Sequence, residues 1–192
     1  MNNKGGVSKF IKVVIVILLI VLIVLVGYFI FFNKGRNPGQ TIVIENPMKQ
    51  IVIENTKDGI VNQAAVIQEG IIKFNENYIN YLLAALGVSY LHKAPVSYGN
   101  PKIELILDEE VWNSELGDVF ITRKGNSDDP DLRIRMKKEI AVIALLSPDI
   151  KKYMKDSVQN GNIQIEMVAG KIELYSKGYL DLSNNLGYKI SL

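Results

Sequence analysis

The spacing of hydrophobic residues changes character several times along this chain, and each change marks an element. Residues 13–32, VVIVILLIVLIVLVGYFIFF, are apolar on every face and carry no charge. As a helix this run is about 30 Å long, the hydrocarbon thickness of a bilayer. A helix on a soluble core would keep a polar side. The run therefore predicts a single-pass transmembrane helix. It is longer than the apolar part of a cleaved secretory signal, about 7 to 15 residues, and no small-residue cleavage site follows it.

Residues 1–12 form a short basic tail with Lys4, Lys9 and Lys12, and Lys34, Arg36 and Lys49 follow the apolar run. The short tail is the easier end to retain, which puts the N-terminus inside and the domain on the extracytoplasmic side of a cell membrane. Residues 33–40, NKGRNPGQ, have the composition of a flexible linker. IVIEN then occurs twice, at 42–46 and 51–55, around PMKQ. The β-branched residues predict two short strands, and a solenoid would need three or more repeats. Residues 33–57 are thus expected to be linker and short strands ahead of a domain at 58–192.

From 58 to 86 the period is helical. Ile60, Ala64, Ile67, Ile71, Tyr78, Leu82 and Leu86 make one apolar stripe, Gly70 marks a break, and Gly87 caps the end. The polar side has no excess of Lys or Arg, so the stripe is expected to pack on a sheet and not to lie on a lipid surface. His92 falls at the start of a loop. Beyond Pro95 the pattern alternates. Residues 102–108 predict a strand with Ile103, Leu105 and Leu107 on one face, and 118–124 another. GNSDDPD is a turn by composition. Residues 132–138 place Leu132, Ile134 and Met136 opposite Arg133, Arg135 and Lys137.

Residues 139–146 are strongly apolar and long enough for two helical turns. Ser147, Pro148 and Asp149 predict a helix start, with the hydroxyl as N-cap, and Asn160 and Gly161 the stop. Between them Ile150, Tyr153, Met154 and Val158 face inward. Alternation in 163–168 and 171–176 predicts a hairpin turning at Ala169 and Gly170. The fold class expected is α+β, with an antiparallel-rich sheet covered by helices.

Composition removes several function classes. The 192 residues carry a net charge of +2, one histidine and no cysteine. Without the anchor, about 150 residues remain, enough for one domain. Thiol chemistry and thiolate metal sites are absent, and a single histidine makes no His-rich metal cluster. No basic stripe with interleaved aromatics points to nucleic acid. No G-x-S-x-G elbow, Walker sequence or dinucleotide fingerprint occurs. Glu109 and Glu110 are adjacent, and Asp128, Asp129 and Asp131 share a turn; both groups read as solvated acids, not as a glycosidase or calcium site. Trp112 reads as a core or sheet-edge aromatic. No catalytic residue, metal or cofactor is assigned.

Two stretches, DDPDLRIRMKKEIAVIALLS at 128–147 and VAGKIELYSKGYLDL at 168–182, resemble the sterol carrier protein 2 family of lipid-binding domains. Asp129 and Pro130 fit that family's turn, Gly170 and Lys171 its Gly-Lys pair, and Gly178 its second glycine. The resemblance covers about a hundred residues, on patterns of apolar and small side chains, so it warrants fold more than function. It implies an α/β sandwich around an apolar tunnel for lipid, with no catalytic residues. It also implies a short helix at 163–168, where the alternation reads as strand; the two alternatives stay open at this point. The KGGVSKF phrase before the apolar run is similar, over few residues, to the start of archaeal pilin-type subunits.

Two functions follow. The first is a membrane-tethered, non-catalytic binding domain for a lipid or other hydrophobic small molecule, with Met136, Ile143, Leu146, Met154 and Met167 as lipid-binding candidates because apolar, adaptable side chains line such pockets. The alternative is a surface structural or interaction protein, pilin-like or an envelope module, with a solid core and no ligand. The partners implied are the lipid bilayer and, through the transmembrane helix, a homo-oligomer; no nucleic acid is expected.

Overall fold

In a computed structural model of the chain the described residues are 45–94, 98–117 and 120–190, together with Leu19, Val21 and Leu22. The chain divides into two compact units, Met1–Gly39 and Gln40–Leu192. In the first, Leu19, Val21 and Leu22 are helical and exposed. The rest of the expected anchor at 13–32, the tail at 1–12 and the linker at 33–40 lie outside the described residues. Among the described residues no helix is long and apolar enough to cross a membrane.

The second unit is α+β. It begins with α1 (Met48–Glu54), a ribbon of β1 (Thr56–Lys57) and β2 (Ile60–Val61), then α2 (Gln63–Ile72) and α3 (Glu76–Leu86). The second IVIEN copy is helical in α1, not a strand; residues 42–44 of the first copy lie outside the described residues. Asn46 Oδ1 accepts from Met48 N at 2.9 Å and opens the helix. Met48 and Ile51 are buried, and at a spacing of three they share a face only in a helix. Packing has overridden the β-branched propensity.

Asp58 and Gly59, at φ 51° and 78°, form a two-residue turn between β1 and β2. Ile60 therefore sits in the ribbon and is 75% exposed, off the stripe predicted for it. The break in the helical region falls at Lys73–Asn75 instead of Gly70, because Asn75 caps α3 by accepting from Asn77 N. Gly70 is a packing position: a Cβ there would lie 2.8 Å from Met48 Cε and Val142 Cγ1. Gly87 caps α3 in the left-handed conformation, as the sequence predicts.

The sheet contains β3 (Lys102–Leu107), β4 (Glu110–Leu116), β5 (Phe120–Lys124), β6 (Leu132–Met136) and β7 (Ile163–Met167), in the spatial order β5-β4-β3-β6-β7. β3 and β6 are parallel and the other neighbours antiparallel. The sequence pattern missed β4. Ser114 takes an inward position there and hydrogen-bonds Thr122 at 2.8 Å, so the alternation of apolar residues is broken. Asp108, at φ 54°, makes the tight turn that joins it to β3.

Between β6 and β7 come α4 (Lys138–Leu146) and α5 (Ile150–Gln159). The α5 cap is Asp149, which accepts from Lys152 N at 2.9 Å, whereas Ser147 ends α4. Residues 163–167 are a strand, as alternation predicts and against the helix implied by the family resemblance. The hairpin expected after it does not form: 171–176 is α6 (Lys171–Ser176), followed by α7 (Tyr179–Asn185). Asp131 O takes the N–H groups of both Val168 and Ala169, at 3.0 and 3.1 Å, and this ends the β7 pairing.

Ile103, Leu105, Leu107, Ile134 and Met136 on the sheet pack with Ile79, Leu82, Leu83 and Leu86 of α3, Val142 and Leu145 of α4 and Met154 of α5 in one buried cluster. The other sheet face is polar. There Glu104, Arg133 and Glu166 stand opposite one another in register.

Candidate functional site

The lipid-binding candidates lie at different depths in the fold. Met136 and Met154 are buried in the core cluster, Leu146 and Met167 pack against it, and Ile143 is half-buried on α4. An apolar recess lies elsewhere among the described residues, lined by Leu132, Ile165, Met167, Tyr179, Ser183, Leu186, Tyr188 and Ile190. Met167 alone of the five candidates borders it. Its volume is about 10 Å³, room for about one water. Pockets that take drug-sized ligands run to about 300–1,000 Å³.

Beside this recess is the most concentrated buried charge among the described residues. Asp131 ends the turn before β6, and Lys177 and Tyr179 flank the glycine between α6 and α7. Each is at most 2% exposed. Lys177 Nζ donates to Asp131 Oδ1 at 2.6 Å and to Glu173 Oε1, one helical turn back, at 2.7 Å. Asp131 Oδ2 accepts from Tyr179 OH at 2.9 Å and from Lys102 N at 2.8 Å. The backbone N–H of Asp131 donates to Lys102 O at 2.9 Å. One residue thus ties together the fold: the Asp131 carboxylate holds the start of β3 and the α6–α7 turn, and its backbone carbonyl holds the end of β7.

Two carboxylates hold one ammonium, and a buried phenol donates to one of them, so protons are held tightly. Burial pushes the Asp131 carboxyl above its ordinary value, against the bonds from Lys177, Lys102 N and Tyr179. For Lys177 burial works against the charge, but the bonds to Asp131 and Glu173 outweigh it and its pKa rises. Burial, and then the neighbouring Asp131 charge, lift the Tyr179 phenol well above its ordinary range. Paired with one another, with Asp131, Lys177 and Tyr179 buried and Glu173 part-exposed, these groups make a structural clamp.

Gly178 makes the clamp possible. It adopts φ +83°, and a Cβ there would lie 2.6 Å from Tyr90 O, so the α6–α7 turn lies directly against the loop after α3. His92 N donates to Lys177 O at 3.1 Å across the same contact. His92 lies near the start of that loop, as expected, and its side chain is exposed.

The other acids disperse. Glu109 is exposed in the β3–β4 turn, while Glu110 pairs with Lys124 and Lys138, each at 3.2 Å. Asp128 and Asp129 are exposed, so the turn that reads as three solvated acids separates into two solvated acids and the buried Asp131. Among the described residues no group of three or more His, Asp or Glu side chains is arranged to hold a metal. On the polar sheet face Arg133 Nη1 meets Glu166 Oε2 at 2.8 Å and its Nε meets Glu104. Burial raises the Glu104 carboxyl, but bonds from Arg133 and Ser127 N bring it below its ordinary value.

Sequence reasoning took Asp131 for a solvated acid and did not single out Lys177 or Tyr179. Their spacing carries no motif, since 46 residues separate Asp131 from Lys177. The available signal was Gly178, which stands between Lys177 and Tyr179. No family model matches the chain, and a search of curated proteins finds no match.

Proposed function

We propose that this chain is a surface structural or interaction protein, not an enzyme: a solid-cored α+β module, held at a membrane by the apolar run at 13–32 and acting through protein contacts. The observation that carries this reading is the filled core. Four of the five lipid-binding candidates, Met136, Leu146, Met154 and Met167, lie in or against the core cluster, and the apolar recess that Met167 borders has a volume of about 10 Å³. The uncharged run at 13–32 supports the tether, and the short basic tail supports an extracytoplasmic domain.

The second reading is a sterol carrier protein 2-like lipid-binding domain. What favours it is the composition of the recess wall, where Met167, Ile165 and Leu132 face Tyr188 and Ile190 of the C-terminal segment. Displacement of that segment would be the route to a larger volume. Against it, α6 stands where the family has a strand.

Native mass spectrometry of the full chain released from membranes separates the two. The structural reading expects the bare mass and no saturable uptake of a fluorescent fatty acid. Repeated recovery with one bound lipid, lost on widening Met167 to Trp, would replace it with the second.

A further inference from the structure

The sheet has two edges, and they differ. β5 ends in Arg123 and Lys124, charges of the kind that discourage pairing with another strand. β7 reads Ile163-Gln164-Ile165-Glu166-Met167, with no proline, no lysine and an unbroken one-to-one register against β6. Among the described residues no loop or tail backbone bonds to its free side. A strand with an unbroken register and an open hydrogen-bonding edge is a template for strand addition.

The strand's own sequence indicates what adds to it. An antiparallel two-fold centred on Ile165 sets Gln164 opposite Glu166 of a second copy, an amide against a carboxylate, with no like charges facing each other. Ile163 then meets Met167 on the other face, and the half-buried Ile165 and Met167 gain cover. The contact is isologous, so it closes at two copies. Tethering in one membrane would raise the local concentration of the two domains.

We propose that β7 is a self-pairing edge, joining two copies through 163–167 into one continuous ten-stranded sheet, twice the five strands of one copy. This rests on the interaction-protein reading above and names its partner as a second copy of this chain.

The chain has no cysteine, so a single introduced thiol reports the seam. Full-length Ile165→Cys in membrane vesicles is expected to give a disulfide-linked dimer on mild oxidation. Ile121→Cys on β5, where the native residue is 43% exposed, is expected to remain monomeric. Charge variants give a second readout. Gln164→Glu opposes acids twice across the two-fold and should weaken the dimer about tenfold. Within its own copy it faces Arg135, so thermal stability should hold or rise. Gln164→Lys should do the reverse on both counts.

An uncrosslinked Ile165→Cys chain, or equal effects of the two Gln164 variants on dimer formation, would overturn the proposal. A chain that sediments with membranes yet stays monomeric defeats the edge alone. Recovery of bound lipid together with crosslinking at 165 defeats only the reading beneath it.

Discussion

Replacing Lys177 with methionine tests the clamp. The side chain is 2% exposed and that of Asp131 3%, so the substitution keeps most of the volume but leaves a buried carboxylate held only by Lys102 N and Tyr179 OH. Breaking a buried pair from one side costs about 3–5 kcal/mol. For a domain of this size each kcal/mol moves Tm by about 2–4 °C, which gives a fall of about 6–20 °C. The double variant Asp131→Asn with Lys177→Met removes the buried carboxylate and leaves only the part-exposed Glu173 without its partner, so it should regain about 1–2 kcal/mol. The pH dependence supplies an independent sign. Burial already raises the Asp131 carboxyl, and Lys177 opposes that rise. Without Lys177 the folded-state pKa climbs further above the unfolded value. A carboxyl raised on folding favours the folded state in its protonated form, so its contribution is present at low pH and lost as pH rises through the folded pKa. Lowering the pH from about 8 to about 5 should therefore restore part of the stability of Lys177→Met, and not raise that of the double variant. Circular-dichroism melts of the full chain in detergent at both pH values measure this. A Tm loss under about 2 °C, or no rescue by acid, would refute the argument that the site holds an uncompensated charge.

Three further outcomes are expected. Gly178→Ala should lose about 1–3 kcal/mol or more in urea titrations, from strain at φ +83° and the approach to Tyr90 O. Asp149→Ala should lose about 1 kcal/mol and Ser147→Ala less, since Asp149 makes the bond to Lys152 N. Glu104→Gln should flatten the acid side of the stability curve: the native carboxyl is lowered below its ordinary value of 4.5, so its contribution is present above that value and lost as pH falls through the folded pKa. Melts from pH 6 down to about 3 check the last point.

Much of the fold was legible because burial on one face imposes a period. Leu132, Ile134 and Met136 in β6, and Ile103, Leu105 and Leu107 in β3, alternate as a strand with one dry side must. Gly87 ended α3 for a local reason, the left-handed conformation that glycine adopts without strain. Where the signal failed, a contact distant in sequence had decided. IVIE formed α1 because Met48 and Ile51 reach the core together. KIELYS alternates as a strand would, yet forms α6, because Asp131 O ends the β7 pairing and Glu173 and Lys177 meet only across a helical turn. β4 hid behind an inward Ser114 that Thr122 satisfies from the next strand.

The candidate site was less legible than the fold. Methionine and isoleucine at the lipid-binding candidates mark apolar surroundings, and a filled core and a hollow one call for the same residues. Volume belongs to the packed arrangement, so only the tertiary structure made the recess small. The same holds for charge: Asp131 in a polar turn carries no sign of burial until Lys177 and Tyr179 arrive from the C-terminal helices to satisfy it. The sequence alone determined what local chemistry determines: an uncharged apolar run as long as a bilayer is thick, the strand and helix periods, and the absence of thiol chemistry. The tertiary structure decided which acid is buried, which edge of the sheet stays open and how much space the core leaves, because each depends on residues that meet only when the chain has folded.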